Sequence, residues 1–163
     1  MAMLGMGLGR AAGVLAGQSL GANQPERAER SGWLAGGLAQ GFALIISVAV
    51  LLWAESIIRI FNAEPNVVEL ASTFLRIAAT GYLFMGLYFV MQNSISGAGD
   101  TLPPMLVSLL NFWLVQIPLA FFLSRFTNLG MYGVRWAIVV GWIVGAVAYS
   151  VYFRLGRWKR KRV

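Results

Sequence analysis

The stretch NSISGAGDTLPP, residues 93–104, lies between two long apolar segments and decides how the chain folds. Gly97 and Gly99 predict the end of one helix, because glycine readily adopts the left-handed conformation found at the C′ position. Asp100 or Thr101 can cap the helix that follows. The stretch therefore predicts a tight hairpin between two helices. It contains neither a Walker sequence nor GxGxxG, so it does not indicate a phosphate-binding loop.

Four segments without a charged residue are long enough to cross a bilayer. A helix rises about 1.5 Å per residue, so about 20 residues cover the roughly 30 Å hydrocarbon core. The segments are Trp33–Trp53, Ile77–Gly99, Thr101–Ser124 and Trp136–Phe153. Residues 1–19 form a fifth apolar stretch that Arg10 interrupts, which favours a partial or cavity-facing helix over a signal peptide.

The composition also favours a membrane protein over a soluble domain. Hydrophobic residues make up 58% of the 163 residues and charged residues 12%, about half the charged share of an ordinary soluble domain. We predict an all-α integral membrane protein, a polytopic helix bundle with four full spans and a partial N-terminal helix. The expected helices cover about 1–20, 31–61, 66–98, 101–125 and 131–156, followed by a basic tail at 157–163.

The residue types that usually carry catalysis or bind metals are scarce. Histidine and cysteine are both absent, which removes the usual ligands of zinc, copper, haem and iron–sulfur clusters. The six carboxylates lie in predicted connections or near helix ends, so no set of titratable groups converges as an enzyme would require. We expect no enzyme activity and no cofactor.

Basic residues are concentrated in two regions that four crossings separate. Arg27 and Arg30 lie in the first region, and six of the thirteen Lys and Arg lie in the last ten residues. The positive-inside rule places both regions in the cytoplasm. We expect a multi-pass protein of the bacterial cytoplasmic (inner) membrane with a cytoplasmic C-terminus. The net charge of +7 then indicates membrane lipids as partners, and not nucleic acid.

The same orientation places Met1 at the outer surface. Bacterial membrane proteins seldom begin there, so we expect that further helices precede this sequence in a longer protein.

Polar residues inside the third predicted helix form a stripe. At about 100° per residue, Tyr82, Asn93 and Gly97 share one side, and Gln92 flanks it. Polar groups are costly in hydrocarbon, so this stripe is expected to face protein or a water-filled cavity. A substrate-lining face and close helix packing with hydrogen-bonded amides both explain it.

The fourth predicted helix shows a similar pattern. Asn111 and Pro118 fall on one side at 100° per residue, and Gln116 falls off that side. Pro118 has no amide hydrogen and clashes with the carbonyl of Leu114, so we expect a kink or a freed carbonyl there. The candidates for lining a substrate cavity are Arg10, Tyr82, Gln92, Asn93 and Asn111.

Small residues recur four positions apart and predict close helix contacts within the chain. The pairs are Gly5 with Gly9, Gly13 with Gly17, Gly37 with Gly41, and Gly141 with Gly145.

Four segments resemble successive landmarks of the multidrug and toxic compound extrusion (MATE) family. They are GQSLGANQPERAERSG at 17–32, SGAGDTLPPM at 96–105, WLVQIPLAFFL at 113–123 and GVRWAIVVG at 133–141. The resemblance covers nearly the whole chain, and the first landmark is the most specific. It implies membrane helices eight to twelve of a twelve-helix transporter, which is most of one six-helix lobe without the N-terminal lobe.

The resemblance also implies a function. Members of the family export small organic, often cationic, compounds and use a sodium or proton gradient. Some members have an acidic residue in the middle of the tenth helix, but Ile77–Gly99 contains none, so no ion site is identifiable here. Two alternatives stay open. One is a lipid-linked sugar flippase of related architecture, using Arg10 and Arg76, and the other is a nonfunctional truncated membrane scaffold.

The predicted orientation can be tested with single cysteines, because the native chain has none. We expect Gln24→Cys and Lys161→Cys to be protected from a membrane-impermeant maleimide in intact cells, and Asn62→Cys and Asn128→Cys to react. Labelling of Gln24→Cys with no labelling of Asn128→Cys would reverse the orientation.

Overall fold

The structure of the chain is a computed structural model that describes residues 2–61 and 64–160. Residues 62 and 161, two of the proposed labelling positions, lie outside the described residues, as does the rest of the tail from 161 to 163. Six α-helices, one π-helical segment and one 3₁₀ turn follow one another. They are α1 (Ala2–Gly21), α2 (Pro25–Phe61), α3 (Pro65–Gly97), α4 (Leu102–Leu110), the π segment (Asn111–Gln116), α5 (Ile117–Phe126), α6 (Met131–Leu155) and the 3₁₀ turn (Arg157–Arg160).

This architecture confirms the predicted fold class. The described residues contain no strand, and four helices are long and apolar enough to cross a membrane. α4, the π segment and α5 run without interruption from Leu102 to Phe126 and form the third of these spans. α1, with 20 residues, corresponds to the partial N-terminal helix.

α2 begins six residues earlier than expected, at Pro25 instead of residue 31. Proline is favoured in a first helical turn because it lacks the amide hydrogen that would have no partner there, and Glu26 complements the helix dipole. Asn23, with φ of 56°, ends the preceding turn. The connection is therefore only three residues long, and Arg27 and Arg30 lie on α2 itself.

The helices alternate in direction around α3. α1 runs parallel to α3, since Gly5 lies beside Gly86 and Gly17 lies beside Gly97. α2 is antiparallel to α3, because the Ser47 hydroxyl donates to the Ala79 carbonyl and Gly36 lies beside Met91. α6 is parallel to α3, and the 102–126 span is antiparallel to α6. The segments 22–24, 98–101 and 156–160 therefore all lie at the same end of the bundle, which we call the basic end.

Glycines bring α1 and α3 into backbone contact. Methyl groups placed on Gly9, Gly13 and Gly17 would lie 2.9, 2.7 and 2.7 Å from carbonyl oxygens of α3. Without a hydrophobic force between helices in lipid, such close approach supplies the packing energy. The predicted contacts of the α1 glycine pairs are confirmed.

On α2 the prediction of a Gly37 and Gly41 contact is wrong. Both glycines are exposed, and a methyl group added to either would meet nothing within 4 Å. The buried stripe of α2 lies on another side, where Gly36 and Ala39 face α3. The stripe is Ala28, Gly32, Gly36, Ala39, Ala43 and Ser47, and its spacing of three or four residues matches one face of a helix.

The hairpin at 97–101 differs in part from its prediction. Gly99 has φ of +81° and lies just beyond the end of α3, but Gly97 is the last helical residue and packs against the backbone of Gly13. Thr101 occupies the N-cap position of α4 without a side-chain capping bond, and the buried Asp100 carboxylate accepts from the Tyr152 hydroxyl at 2.5 Å. Gly97 is needed because the two helices cross there.

We expect Gly97→Ala to lower the free energy of unfolding by roughly 1–3 kcal/mol, the usual cost of overpacking. The added methyl group would overlap the Gly13 carbonyl. The matched control is Gly37→Ala, which meets no atom and replaces a helical glycine with a better helix former. Thermal unfolding in detergent measures both, and equal midpoints would contradict the close α1–α3 crossing.

Candidate functional site

A hydrogen-bonded polar cluster joins α3, α4 and α6 inside the membrane-spanning region. The Gln92 amide donates to the Ser108 hydroxyl at 3.0 Å, and the Ser108 and Tyr149 hydroxyl oxygens are 2.6 Å apart. Both hydroxyls also lie within hydrogen-bond distance of the Pro104 carbonyl oxygen, at 2.8 and 2.9 Å. The cluster satisfies polar groups that would be costly in an apolar interior.

Sequence reasoning missed Tyr149, the centre of this cluster. Its ring is buried and packs edge-on against Tyr88 with centroids 5.0 Å apart. A tyrosine in the apolar run of α6 gives no periodic signal of its own. The partner of the Tyr149 hydroxyl becomes visible only in the structure, which places Ser108 of the neighbouring helix beside it.

The π segment reorganises the second half of the 102–126 span. A π-helix has i→i+5 bonds, and the Ile117 amide accordingly donates to the Phe112 carbonyl. Pro118 is the next residue and has no amide to donate. The wider turn accommodates the missing donor at the start of α5, so the local change expected at Pro118 takes the form of a π segment.

The π segment also corrects the predicted position of Gln116. Five residues at 100° place Gln116 off the side of Asn111, but a π turn contains more residues than an α turn and rotates Gln116 back toward that side. The Asn111 amide donates to the Gly141 carbonyl at 2.9 Å, and the Gln116 side chain occupies the space beside the missing side chain of Gly141. Both residues therefore pack against α6.

Asn111 is 4% exposed, and its amide oxygen has no hydrogen-bond partner within the described part of the chain. The amide nitrogen is the group that faces α6, at the Gly141 carbonyl. An unpaired acceptor at this depth weakens the packing that surrounds it.

The other candidate residues lie in three different places. Asn93 donates to the Phe89 carbonyl at 2.8 Å and packs against Gly9 and Gly13 of α1. Tyr82 stacks on Trp142 and lines a groove of about 450 Å³ between α3 and α6. Gln92, Asn93 and Asn111 each make a hydrogen bond in this conformation, and their role as cavity-lining residues stays a prediction.

Arg10 is exposed on α1 and borders the glycine face that packs on α3. It forms no ion pair with any residue that the structure describes. Arg76, by contrast, pairs with Glu55 at 3.0 Å at the end of the bundle opposite the basic end. Of the two arginines that the flippase alternative requires, only Arg10 is unpaired.

The described residues hold no group of three or more His, Cys, Asp or Glu side chains that could bind a metal ion. A polar cleft of about 590 Å³ near Arg76 is lined by side chains of both charges from α2 and α3, Glu55, Arg59, Glu69 and Arg76 among them. The site chemistry visible in this lobe is hydrogen bonding and packing.

We expect Tyr149→Phe to cost about 0.5–1.5 kcal/mol of stability, because it removes a buried hydroxyl from the Ser108 and Pro104 contacts. Tyr132→Phe is the control, since its hydroxyl makes no hydrogen bond to the described residues. Thermal unfolding in detergent compares them, and equal midpoints would show that the cluster does not stabilise the bundle.

Comparison with known proteins supports the resemblance. The MatE family model matches residues 1–122. A probable multidrug resistance protein NorM of Thermotoga maritima is 26% identical over 134 residues, which are 82% of this chain and 28% of that protein. The probable multidrug resistance protein NorM of Bradyrhizobium diazoefficiens is 31% identical over 152 residues, 91% of this chain and 32% of the relative.

A solved structure shows the same fold. It is the inward-facing conformation of a multidrug resistance MATE family transporter of the MOP superfamily, with a TM-score of 0.84 and 22% identity. The alignment covers 93% of this chain and 34% of that chain. The chain thus spans about a third of the length of the proteins that it matches. With the family model matching three quarters of its residues, the chain belongs to the MatE family of multi-pass membrane proteins.

Proposed function

We propose that this chain forms most of one lobe of a secondary active transporter that exports small organic, often cationic, compounds. The proposal includes a second lobe, against which this one rocks to give alternating access, and a sodium or proton gradient as the energy source. Relatives that are named multidrug resistance proteins match nearly the whole chain. The solved structure with the same fold is described as a transporter, and we propose that this chain too is no enzyme.

The observation that carries the proposal is the exposure of Arg10. Its neighbours Gly9 and Gly13 lie beside Phe89 and Asn93 of α3, about two turns and one turn from the Gly97 end of that helix. An exposed guanidinium at this depth is costly against lipid and is stabilised by protein or water. The exposed face of α1 therefore belongs at a water-filled cavity between two lobes.

The composition of the exposed α1 face agrees with this assignment. Met3, Gly7, Arg10, Val14 and Gln18 are all exposed and follow one another at intervals of three or four residues. Methionine adapts to ligands of different shape, and Gln18 offers hydrogen bonds. The bordering face, with Gly9 and Gly13, is fixed on α3.

We infer that the second lobe supplies the gradient-sensing group. The six carboxylates of this chain are Glu26, Glu29, Glu55, Glu64, Glu69 and Asp100, and each lies near a helix end. Coupling needs a group that binds the ion differently in two states. A carboxylate of the other lobe facing Arg10 would also balance its charge, and a cationic substrate would then compete with Arg10 for it.

The basic end is proposed to lie in the cytoplasm of a bacterial cell, with the whole lobe in the inner membrane. The support is the charge asymmetry of the sequence, since eight of the thirteen Lys and Arg lie at 27–30 or 154–162 and four lie towards the other end.

The test is a chimera in which this chain replaces the matching segment of the Thermotoga maritima relative, reconstituted in liposomes with an imposed sodium or proton gradient. We expect gradient-dependent accumulation of a fluorescent cationic substrate by the chimera, and none by the 163-residue chain alone. Accumulation by the chain alone would contradict the two-lobe mechanism. A folded chimera that is inactive while the parent relative is active would contradict the transporter assignment.

Within the chimera, Arg10→Gln should lower the KM for the cationic substrate several-fold, because a like charge leaves the cavity. Arg59→Gln removes the same charge from the opposite end of the bundle and should leave KM unchanged. Equal KM values for the two variants would place Arg10 outside the cavity.

A further inference from the structure

The residues that follow α6 fold back onto the bundle. Gly156, with φ of +68°, ends α6, and the 3₁₀ turn follows it at once. Trp158 is completely buried, although the sequence predicted only a basic tail there. Its ring stacks on Phe153 with centroids 4.6 Å apart, and its indole nitrogen donates to the Phe153 carbonyl at 2.8 Å. The segment as far as residue 160 is therefore docked.

The end of α6 and the docked segment each make one contact with α2. The Phe153 ring occupies the notch at Gly32, where an added methyl group would lie 2.5 Å from the ring. The Lys159 ammonium pairs with the Glu29 carboxylate at 2.5 Å, one turn before Gly32 on α2. Both contacts hold the end of α6 and the 3₁₀ turn against the first turns of α2. Two groups of basic residues from distant parts of the sequence therefore share one surface.

The charges on this surface are unbalanced. The exposed arginines are Arg27, Arg30, Arg154 and Arg157, and none forms an ion pair within the described part of the chain. Lys159 pairs with Glu29, so the four arginines face two remaining carboxylates, Glu26 and Asp100; Asp100 accepts from the neutral Tyr152 hydroxyl and keeps its charge. Glu26 is the exposed one of the two. The surface consequently attracts anions.

The position of the surface identifies the kind of anion. It lies at the end of helices that cross the membrane, next to the exposed side chains of Trp33 and Leu34 on α2. Tryptophan is typical of the level of the lipid head groups. Guanidinium groups bind phosphate in bidentate geometry. Charge and depth together match an anionic phospholipid.

We propose that Arg27, Arg30, Arg154 and Arg157, which share the surface where the end of α6 and the docked segment pack on α2, form a binding site for the head group of an anionic phospholipid. The site is independent of the transport function proposed above. Its new element is the role of Trp158: the docked segment holds Arg157 beside Arg154 of α6 before the lipid arrives, so less conformational entropy is lost on binding.

The experiment measures lipid retention by the detergent-solubilised full chain in native mass spectrometry. Dioleoylphosphatidylglycerol is compared with dioleoylphosphatidylcholine, which has the same acyl chains and no net charge. We expect selective retention of phosphatidylglycerol. The double variant Arg154→Gln/Arg157→Gln should weaken it roughly 10- to 30-fold, given the contribution of each arginine near an anionic surface.

Two further variants separate the site from general electrostatics. Arg59→Gln/Arg125→Gln removes the same charge from the opposite end and should leave phosphatidylglycerol retention unchanged. Trp158→Ala keeps every charge but frees the segment, so retention should fall roughly 3- to 10-fold. Its thermal midpoint in phosphatidylcholine shows whether it is folded. The arginine variants test the site by themselves, because their side chains are exposed.

Equal retention by the wild type and the Arg154→Gln/Arg157→Gln variant would overturn the proposal, and so would equal weakening by the two double variants. Unchanged retention by a folded Trp158→Ala variant would overturn the role of the docked segment. Inorganic phosphate is the last arm: if it displaces phosphatidylglycerol at millimolar concentration, the ligand is a soluble phosphate and the lipid assignment is wrong.

Discussion

The close approach of helix backbones to α3 is the constraint on which the rest of this bundle depends. In lipid, helices gain little from burying apolar surface against one another, so association relies on packing and interhelical hydrogen bonds. α1 presents Gly9, Gly13 and Gly17 to α3, and α2 presents Gly36 and Ala39. Larger residues at these positions would separate the helices. If the helices moved apart, the hydrogen bonds between side chains of different helices would also break.

The polar interior depends on this packing. Once α3 and α6 are in place, Gln92 and Tyr149 can share the Ser108 hydroxyl, and the π segment can set Asn111 and Gln116 against Gly141. Gln92, Ser108 and Tyr149 are hydrogen-bonded to one another and Asn111 to the Gly141 carbonyl, which favours a bundle that moves as one body. The transport mechanism that we propose requires such a rigid body.

The sequence predicted the helices well because charge-free runs of about 20 residues have few alternatives in a membrane protein. The prediction of which residues face a neighbouring helix failed where it assumed regular α-helical spacing. The rule of 100° per residue misplaced Gln116, since the π segment changes the turn, and simple spacing selected Gly37 instead of Gly36 as a contact residue. Burial of Trp158 and the hydroxyl contacts of Tyr149 depend on partners more than 40 residues away in sequence, which no local pattern encodes.

Cysteine cross-linking between α2 and α3 tests the central packing most directly. The Ala39 methyl carbon lies 3.2 Å from the position that a β-carbon on Gly86 would take, close to the separation of about 3.5–4.5 Å in disulfides. In the otherwise cysteine-free chain, Ala39→Cys/Gly86→Cys should oxidise to an intramolecular disulfide that protects both thiols from maleimide. Gly37→Cys/Gly86→Cys should stay reduced, because Gly37 faces away from α3. The reverse result would contradict the assigned face of α2 and with it the packing around α3.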